Sequence, residues 1–170
     1  MCELTVNIAI ISDTHMPRGG RRLPDDCVER LKVADLIVHA GDLARLSVLR
    51  ELQGYGKVIA VHGNVDDADV RAVLPEVQTL TARRRTIVIT HDAGPATGRM
   101  SRMRARFPDA DAVVFGHSHM PLHERADDGF QLFNPGSPTE RRRAPSHTMG
   151  LARVGERGVE FELISLGLTD

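Results

Sequence analysis

Apolar and polar positions along the chain fall into short runs of two kinds. Residues 6–12, 36–40, 58–62 and 112–115 are almost continuously apolar, as strands covered on both faces are. Between the first three lie segments with helical spacing: 24–33, with Cys27, Val28 and Leu31 facing inward, and 43–52, closed by Gly54-Tyr55-Gly56. This β-α-β-α-β order predicts parallel pairing with right-handed crossovers. A short helix over 67–73 stops at Pro75. Residues 77–82 and 86–90 read as strands joined by the basic turn Arg83-Arg84-Arg85, and 97–107 as a helix with its arginines in water. Beyond Pro121 the pattern shortens and alternates. Segments 122–126, 130–133, 147–154 and 159–166 read as strands, with hairpin turns at 127–129 and 155–158. No repeat or linker interrupts the series, so one domain over residues 1–170 is expected.

Composition removes several classes. With 22 basic and 23 acidic residues the chain has no net field to draw it to nucleic acid or to a membrane surface. No apolar run approaches the roughly 20 residues needed to span a bilayer. The first residues, Met1-Cys2-Glu3-Leu4-Thr5, lack the basic and apolar regions of an export signal. Cys2 and Cys27 make no disulfide framework, so a reducing cytoplasm is the expected location.

The chemistry lies at the strand ends. Asp13-Thr14-His15, Gly41-Asp42, Gly63-Asn64, His91 and Gly116-His117-Ser118-His119 each follow an apolar run. In open α/β sheets ligands gather beyond the carboxyl ends of strands. In an extended chain residues i and i+2 share a side, so Asp13 with His15, and His117 with His119, are expected to chelate as pairs. Imidazole, carboxylate and amide oxygen without thiolate suit Mn²⁺, Fe, Zn²⁺, Co²⁺ or Ni²⁺ better than Ca²⁺ or Mg²⁺. Asp13 and Asp42 are too few carboxylates to neutralise two dications, which leaves charge for an anionic substrate. Singly, each segment reads as a solvated turn. Their joint order does not.

The series Asp-x-His, Gly-Asp, Gly-Asn, His, Gly-His-x-His resembles the calcineurin-like metallophosphoesterase superfamily. Ile11-Ser12-Asp13-Thr14-His15 and Asn134-Pro135-Gly136-Ser137 resemble its small bacterial and archaeal phosphodiesterase branch. The resemblance implies a four-layer α/β/β/α sandwich of two mixed sheets flanked by helices. It implies one divalent ion, Mn²⁺ first among the choices, on Asp13, His15 and His119, and a second on Asn64, His91 and His117, with Asp42 bridging. Asn64 and His117 would also touch the phosphate of a small phosphate-ester substrate. The implied nucleophile is a metal-bridging hydroxide, so no side-chain nucleophile is expected.

Two positions depart from the family pattern. Val65 stands where a histidine often follows Gly-Asn and helps protonate the leaving group; general acid help of this kind is worth about 10²–10⁴-fold. Asp92 stands where glycine is common, and a local backbone adjustment is expected there. His39 and His62 read as core or supporting groups, His123 and His147 as surface or packing residues, Asp66 as a loop carboxylate, and Arg141-Arg142-Arg143 as a solvated basic turn. The alternative function is a weakly catalytic or non-catalytic interaction scaffold, as in a eukaryotic protein-sorting relative of this fold; the complete ligand set favours an enzyme. A zinc amidohydrolase fits the motif order less well. The late strands could pair subunits into a homo-oligomer.

Overall fold

A computed structural model describes residues 5–167. In chain order its elements are β1 (Val6–Ile11), a 3-10 turn (Arg18–Gly20), α1 (Asp25–Val33), β2 (Leu36–His39), α2 (Leu46–Tyr55), β3 (Val58–Ala60), α3 (Ala68–Val73), β4 (Val77–Ala82) and β5 (Arg85–Thr90). They continue with α4 (Arg99–Arg106), β6 (Ala112–Val114), β7 (Leu122–Arg125), β8 (Gln131–Asn134), β9 (His147–Gly155) and β10 (Gly158–Leu166). One sheet has the order β10-β9-β1-β2-β3 and the other β4-β5-β6-β8-β7. β1, β2 and β3 run parallel, as do β5, β6 and β8; β9, β10, β4 and β7 pair antiparallel.

The period of two along β1 explains the layers. Ile8 and Ile10 point to one side, where they meet Val38 from their own sheet and Ile87, Ile89, Val114 and Phe133 from the other. Ala9 and Ile11 point to the opposite side, against Cys27 and Leu31 of α1 and Val48 and Leu52 of α2. On the second sheet Val88, Val113 and Leu132 turn outward to Met103 of α4. Three apolar interfaces thus separate helices, sheet, sheet and helix, which is the expected four-layer sandwich. Each fully buried aliphatic side chain contributes about 1.5–3 kcal/mol of transfer free energy, so the inter-sheet layer carries much of the fold.

The helix expected over 43–52 begins only at Leu46 and continues through Gly54 to Tyr55. Leu43, Ala44 and Arg45 stay in the loop because their backbone is engaged elsewhere: Leu43 O accepts from Met16 N–H at 3.1 Å, and Ala44, at φ 85°, donates its N–H to Asp66 Oδ1 at 2.6 Å. The strand expected over 58–62 ends at Ala60. Both hairpin turns stand where expected, between β7 and β8 and between β9 and β10. Among the described residues no helix is long and apolar enough to cross a membrane. Cys2 lies outside the described residues, and Cys27 is buried, its thiol pushed up to about 12 by burial.

Candidate metal centre

Six loops follow the carboxyl ends of parallel strands and meet at one edge of the sandwich, three from each sheet. The backbone ladder between β1 and β2 continues into the first two: Asp13 N–H donates to Gly41 O and His15 N–H to Asp42 O, both at 3.0 Å. In the second sheet Gly116 N–H donates to His91 O at 3.0 Å. These bonds bring Asp13, His15, Asp42, Asn64, His91, His117 and His119 into one cluster.

The ligand atoms of Asp13, His15 and His119 all lie within 4.8 Å of one another, as do those of Asp13, Asp42 and His91. Asp42 Oδ2 sits between two imidazoles, 3.3 Å from His15 Nε2 and 3.2 Å from His91 Nε2. Asn64 Oδ1 lies 3.1 Å from His91 Nε2 and 3.0 Å from His117 Nδ1. His119 Nε2 faces Asp13 Oδ1 at 3.5 Å. The histidines pair edge to face, His15 with His119 across the two sheets and His91 with His117 from neighbouring strands of one sheet, their ring centroids 5.0 and 5.3 Å apart. His117 and His119 therefore serve opposite halves of the cluster, contrary to the expectation of a chelating i,i+2 pair. The extended geometry behind that expectation is absent: φ is 55° at Asp13, 47° at His15, 60° at Asp42, 67° at His117 and 59° at His119. Left-handed backbone at non-glycine residues is held only where surroundings over-determine it, at about 1–3 kcal/mol each. Asp92 is not among these, and its carboxylate accepts from Gly94 N–H at 2.7 Å in an ordinary turn, so no adjustment was needed there.

The three motif glycines are required by crowding. A Cβ on Gly41 would meet the His91 ring, one on Gly63 would overlap Asp42 Oδ1, and one on Gly116 would stand 2.7 Å from Asp13 Oδ2. Each lets one loop lie against a ligand carried by another.

Hydrogen bonds fix which ring nitrogens face inward. His91 Nδ1 donates to Ala40 O at 2.8 Å and His119 Nδ1 to Glu140 O at 2.7 Å, so both direct Nε2 at carboxylates. His15 Nε2 and His119 Nε2 are buried with no hydrogen-bond partner. Buried polar atoms are rarely orphaned. Unprotonated nitrogens opposed to carboxylate and amide oxygens, without thiolate, are the donor set a borderline or hard divalent cation would satisfy. The electrostatics agree. Burial pushes the Asp13 carboxyl up to about 6, against the pull of His91 and the Ser12 hydroxyl. Burial would raise Asp42 too, but His15 and His91 hold its carboxyl well below the usual range. His91 is raised despite burial, by its bond to Asp42 and the charges of Asp13 and Asp42. Burial drops His119 to about 4.

The supporting residues were only partly visible in the sequence. Asp66 accepts from Asp42 N–H at 3.0 Å, Ala44 N–H at 2.6 Å and Gly63 N–H at 2.6 Å, tying two ligand loops together. Its position three residues after Gly63 was the available signal. His39 is fully buried; Gly41 N–H donates to its Nδ1 at 3.2 Å, leaving Nε2–H for Thr14 Oγ1 at 3.1 Å, and burial lowers it to about 3. It is a neutral bracket between loops. His62 lines the cleft described below, and His123 packs edge-on against Phe133 and Phe161. The segment after β8 clasps the first ligand loop: Ser137 Oγ donates to Asp13 O at 2.9 Å, Thr139 Oγ1 to Thr14 O at 2.7 Å, and Ser12 Oγ to Gly136 O at 2.8 Å. Glu140, which no sequence signal marks, closes that segment. Arg141, Arg142 and Arg143 are exposed.

The centre opens into a cleft of about 310 Å³ lined by Asn64, Arg71, Glu76, Asp92 and His117 among others. Arg71 is anchored by bonds from Nε to Asp66 O at 3.0 Å and from Nη2 to Asn64 O at 2.9 Å. A larger cleft, about 440 Å³, lies between α1 and the β9–β10 hairpin and shares no residue with the centre.

Known proteins resemble this chain in sequence and in fold. A protein of Methanothermobacter thermautotrophicus named a "probable metallophosphoesterase" is 30% identical over 162 residues, covering 94% of this chain and 92% of its own. A phosphodiesterase of Methanocaldococcus jannaschii is 24% identical over 143 residues, covering 77% and 83%. The solved structure of Vacuolar Protein Sorting 29 from Cryptosporidium parvum superposes with a TM-score of 0.79 over 96% of this chain and 100% of that one, at 18% identity, a likeness of fold. The family model for the calcineurin-like phosphoesterase superfamily domain matches residues 6–157, and with the metal-ligand cluster at its strand ends the chain belongs to that superfamily of metal-dependent phosphoesterases.

Proposed function

We propose that this chain is a phosphodiesterase that works with two divalent ions, held by Asp13, His15 and His119 on one side and Asn64, His91 and His117 on the other, with Asp42 shared. The observation that carries this reading is Asp42 Oδ2, set 3.3 and 3.2 Å from two inward-facing imidazoles. The thiolate-free donor set suits Mn²⁺ first, with Fe, Zn²⁺, Co²⁺ and Ni²⁺ as substitutes. Divalent ions there supply Lewis acidity, lowering the pKa of water toward neutrality and offsetting phosphate charge.

The chain's own residues do the rest. Asn64 and His117, both exposed at the cleft mouth, meet the phosphate oxygens. The anchored Arg71 turns its guanidinium toward the same space and favours an anion. Glu76 and Asp92 on the rim disfavour the more highly charged monoesters. Val65 has no proton to give, which favours esters whose leaving group departs unaided. The curated name of the Methanocaldococcus jannaschii relative, a phosphodiesterase, supports the diester class. The alternative, a protein-interaction scaffold, leaves the complete ligand set without a use.

Rates across a series of aryl and alkyl mono- and diesters with Mn²⁺ test the reading. Activated diesters are expected to turn over fastest. Equal rates on an alkyl monophosphate and an aryl diester contradict the diester assignment, and tight Mn²⁺ binding without hydrolysis of any ester favours the scaffold.

A further inference from the structure

We propose that Glu140 is the positioning residue for one half of the centre, fixing both imidazoles of that half at once. The inference rests on the metal-binding reading of Asp13, His15 and His119 given above. Glu140 uses two different groups. Its backbone carbonyl accepts from His119 Nδ1 at 2.7 Å, and its carboxylate Oε2 lies 3.1 Å from His15 Nδ1. Both rings are thereby turned so that Nε2 faces inward, toward Asp13 Oδ1 in one case and Asp42 Oδ2 in the other.

Glu140 Oε2 and His15 Nε2 are both buried without a hydrogen-bond partner. The carboxylate, 3.1 Å from Nδ1, favours the His15 proton on that atom before any ion binds, and ligation of Nε2 then completes both ends of the ring together. A carboxylate behind a ligating imidazole fixes its tautomer and raises its basicity. The Glu140 carboxylate is itself tethered: Oε1 lies 3.5 Å from Arg21 Nη2 and 3.9 Å from Arg142 Nε, and the backbone N–H of Glu140 donates to Ser137 Oγ at 2.9 Å.

The other half is built without it. His91 uses Ala40 O, and His117 meets Asn64 in an exposed position. Removing the Glu140 carboxylate therefore touches one of the two halves, and within it His15 alone, because the carbonyl that holds His119 survives any substitution.

Two readouts on the full chain decide the matter, and neither uses hydrolysis. The first is the tautomer of each histidine by nitrogen-15 NMR of the metal-free protein, assigned with His15→Gln. Glu140→Ala is expected to shift His15 from the Nδ1–H form and leave His119 unchanged. The second is Mn²⁺ titration after chelation. Wild type is expected to bind in two steps, one of which weakens ten- to a hundredfold in Glu140→Ala. Glu140→Gln, which keeps an acceptor oxygen, should stay within about threefold of wild type in both steps. An unchanged His15 tautomer in Glu140→Ala overturns the proposal. So does an equal loss in both binding steps with a lower melting temperature, which is loop collapse. Wild type that binds two ions and cleaves no ester removes the phosphoesterase reading and leaves Glu140 in place.

Discussion

Val65 donates its backbone N–H to Asp42 Oδ1 at 2.8 Å. The position that often carries a proton-donating side chain in this superfamily thus serves the central carboxylate through its amide, a contact any residue except proline can make. Val65→His keeps that bond and adds an imidazole at the edge of the centre. Its expected effect is a rise of at least tenfold in kcat on esters with alkyl leaving groups, toward the range general acids supply, and a change below about threefold on activated aryl diesters. Steady-state kinetics on the two substrate classes check it; equal gains on both count against a leaving-group role.

Asp66 gathers three backbone donors from the loops that carry Asp42 and Asn64. Asp66→Ala strands all three in a buried site. The expected loss is on the order of 3 kcal/mol after partial relaxation, or a fall of about 6–12 °C in melting temperature for a chain of this size. Calorimetry of the metal-free protein measures this directly. A change below about 1 kcal/mol would show the loops held by other bonds.

Two glycines give opposite outcomes on substitution to alanine. At Gly63 the new Cβ overlaps Asp42 Oδ1, so Mn²⁺ affinity is expected to fall at least tenfold. At Gly54, inside α2 with nothing near the Cβ position, the same change should stabilise by about 0.5–1 kcal/mol through helix propensity. Urea unfolding and metal titration on both variants separate crowding at the site from backbone preference.

Metal uptake should depend on pH with a definite sign. Ligation needs Asp13 ionised and His91 neutral. The Asp13 carboxyl, raised by burial to about 6, is protonated below that pH, and His91, raised above its usual value, keeps its proton longer than a free histidine. Asp42 stays ionised throughout. Affinity is therefore expected to climb as pH rises from 5 through 7, with protons released on binding, and to level off once both groups have lost theirs. Calorimetric titrations in buffers of different ionisation heat count those protons. A flat profile from pH 5 to 8 contradicts the assignment of Asp13 and His91 as ligands.

Much of this was legible in the sequence, for identifiable reasons. Ile8 to Ile11 are buried on both faces, so their continuous apolar run marks a central strand unambiguously, and the ligand segments are recognisable because each follows such a run. Conformation was less legible than position. Leu43 and Ala44 carry no glycine or proline, and only the Asp66 carboxylate and the Met16 amide, far away in the chain, keep them out of α2. The left-handed turns at Asp13 and His15 are likewise imposed from outside, by Gly41, Asp42 and the segment after β8. Glu140 lies 125 residues from His15 along the chain, with no pattern linking them. Local sequence places the ligands; distant hydrogen bonds decide how each one faces.

The most direct test of the centre is Asp42→Ala, assayed by Mn²⁺-dependent hydrolysis of an activated aryl diester after chelation and reconstitution. Because Asp42 stands between His15 and His91 and is shared by both halves, activity is expected to fall by at least 10³-fold, on the scale of removing a principal catalytic interaction. Circular dichroism should show the sandwich still folded. Activity within about tenfold of wild type in the folded variant would contradict a phosphoesterase centre built on Asp42.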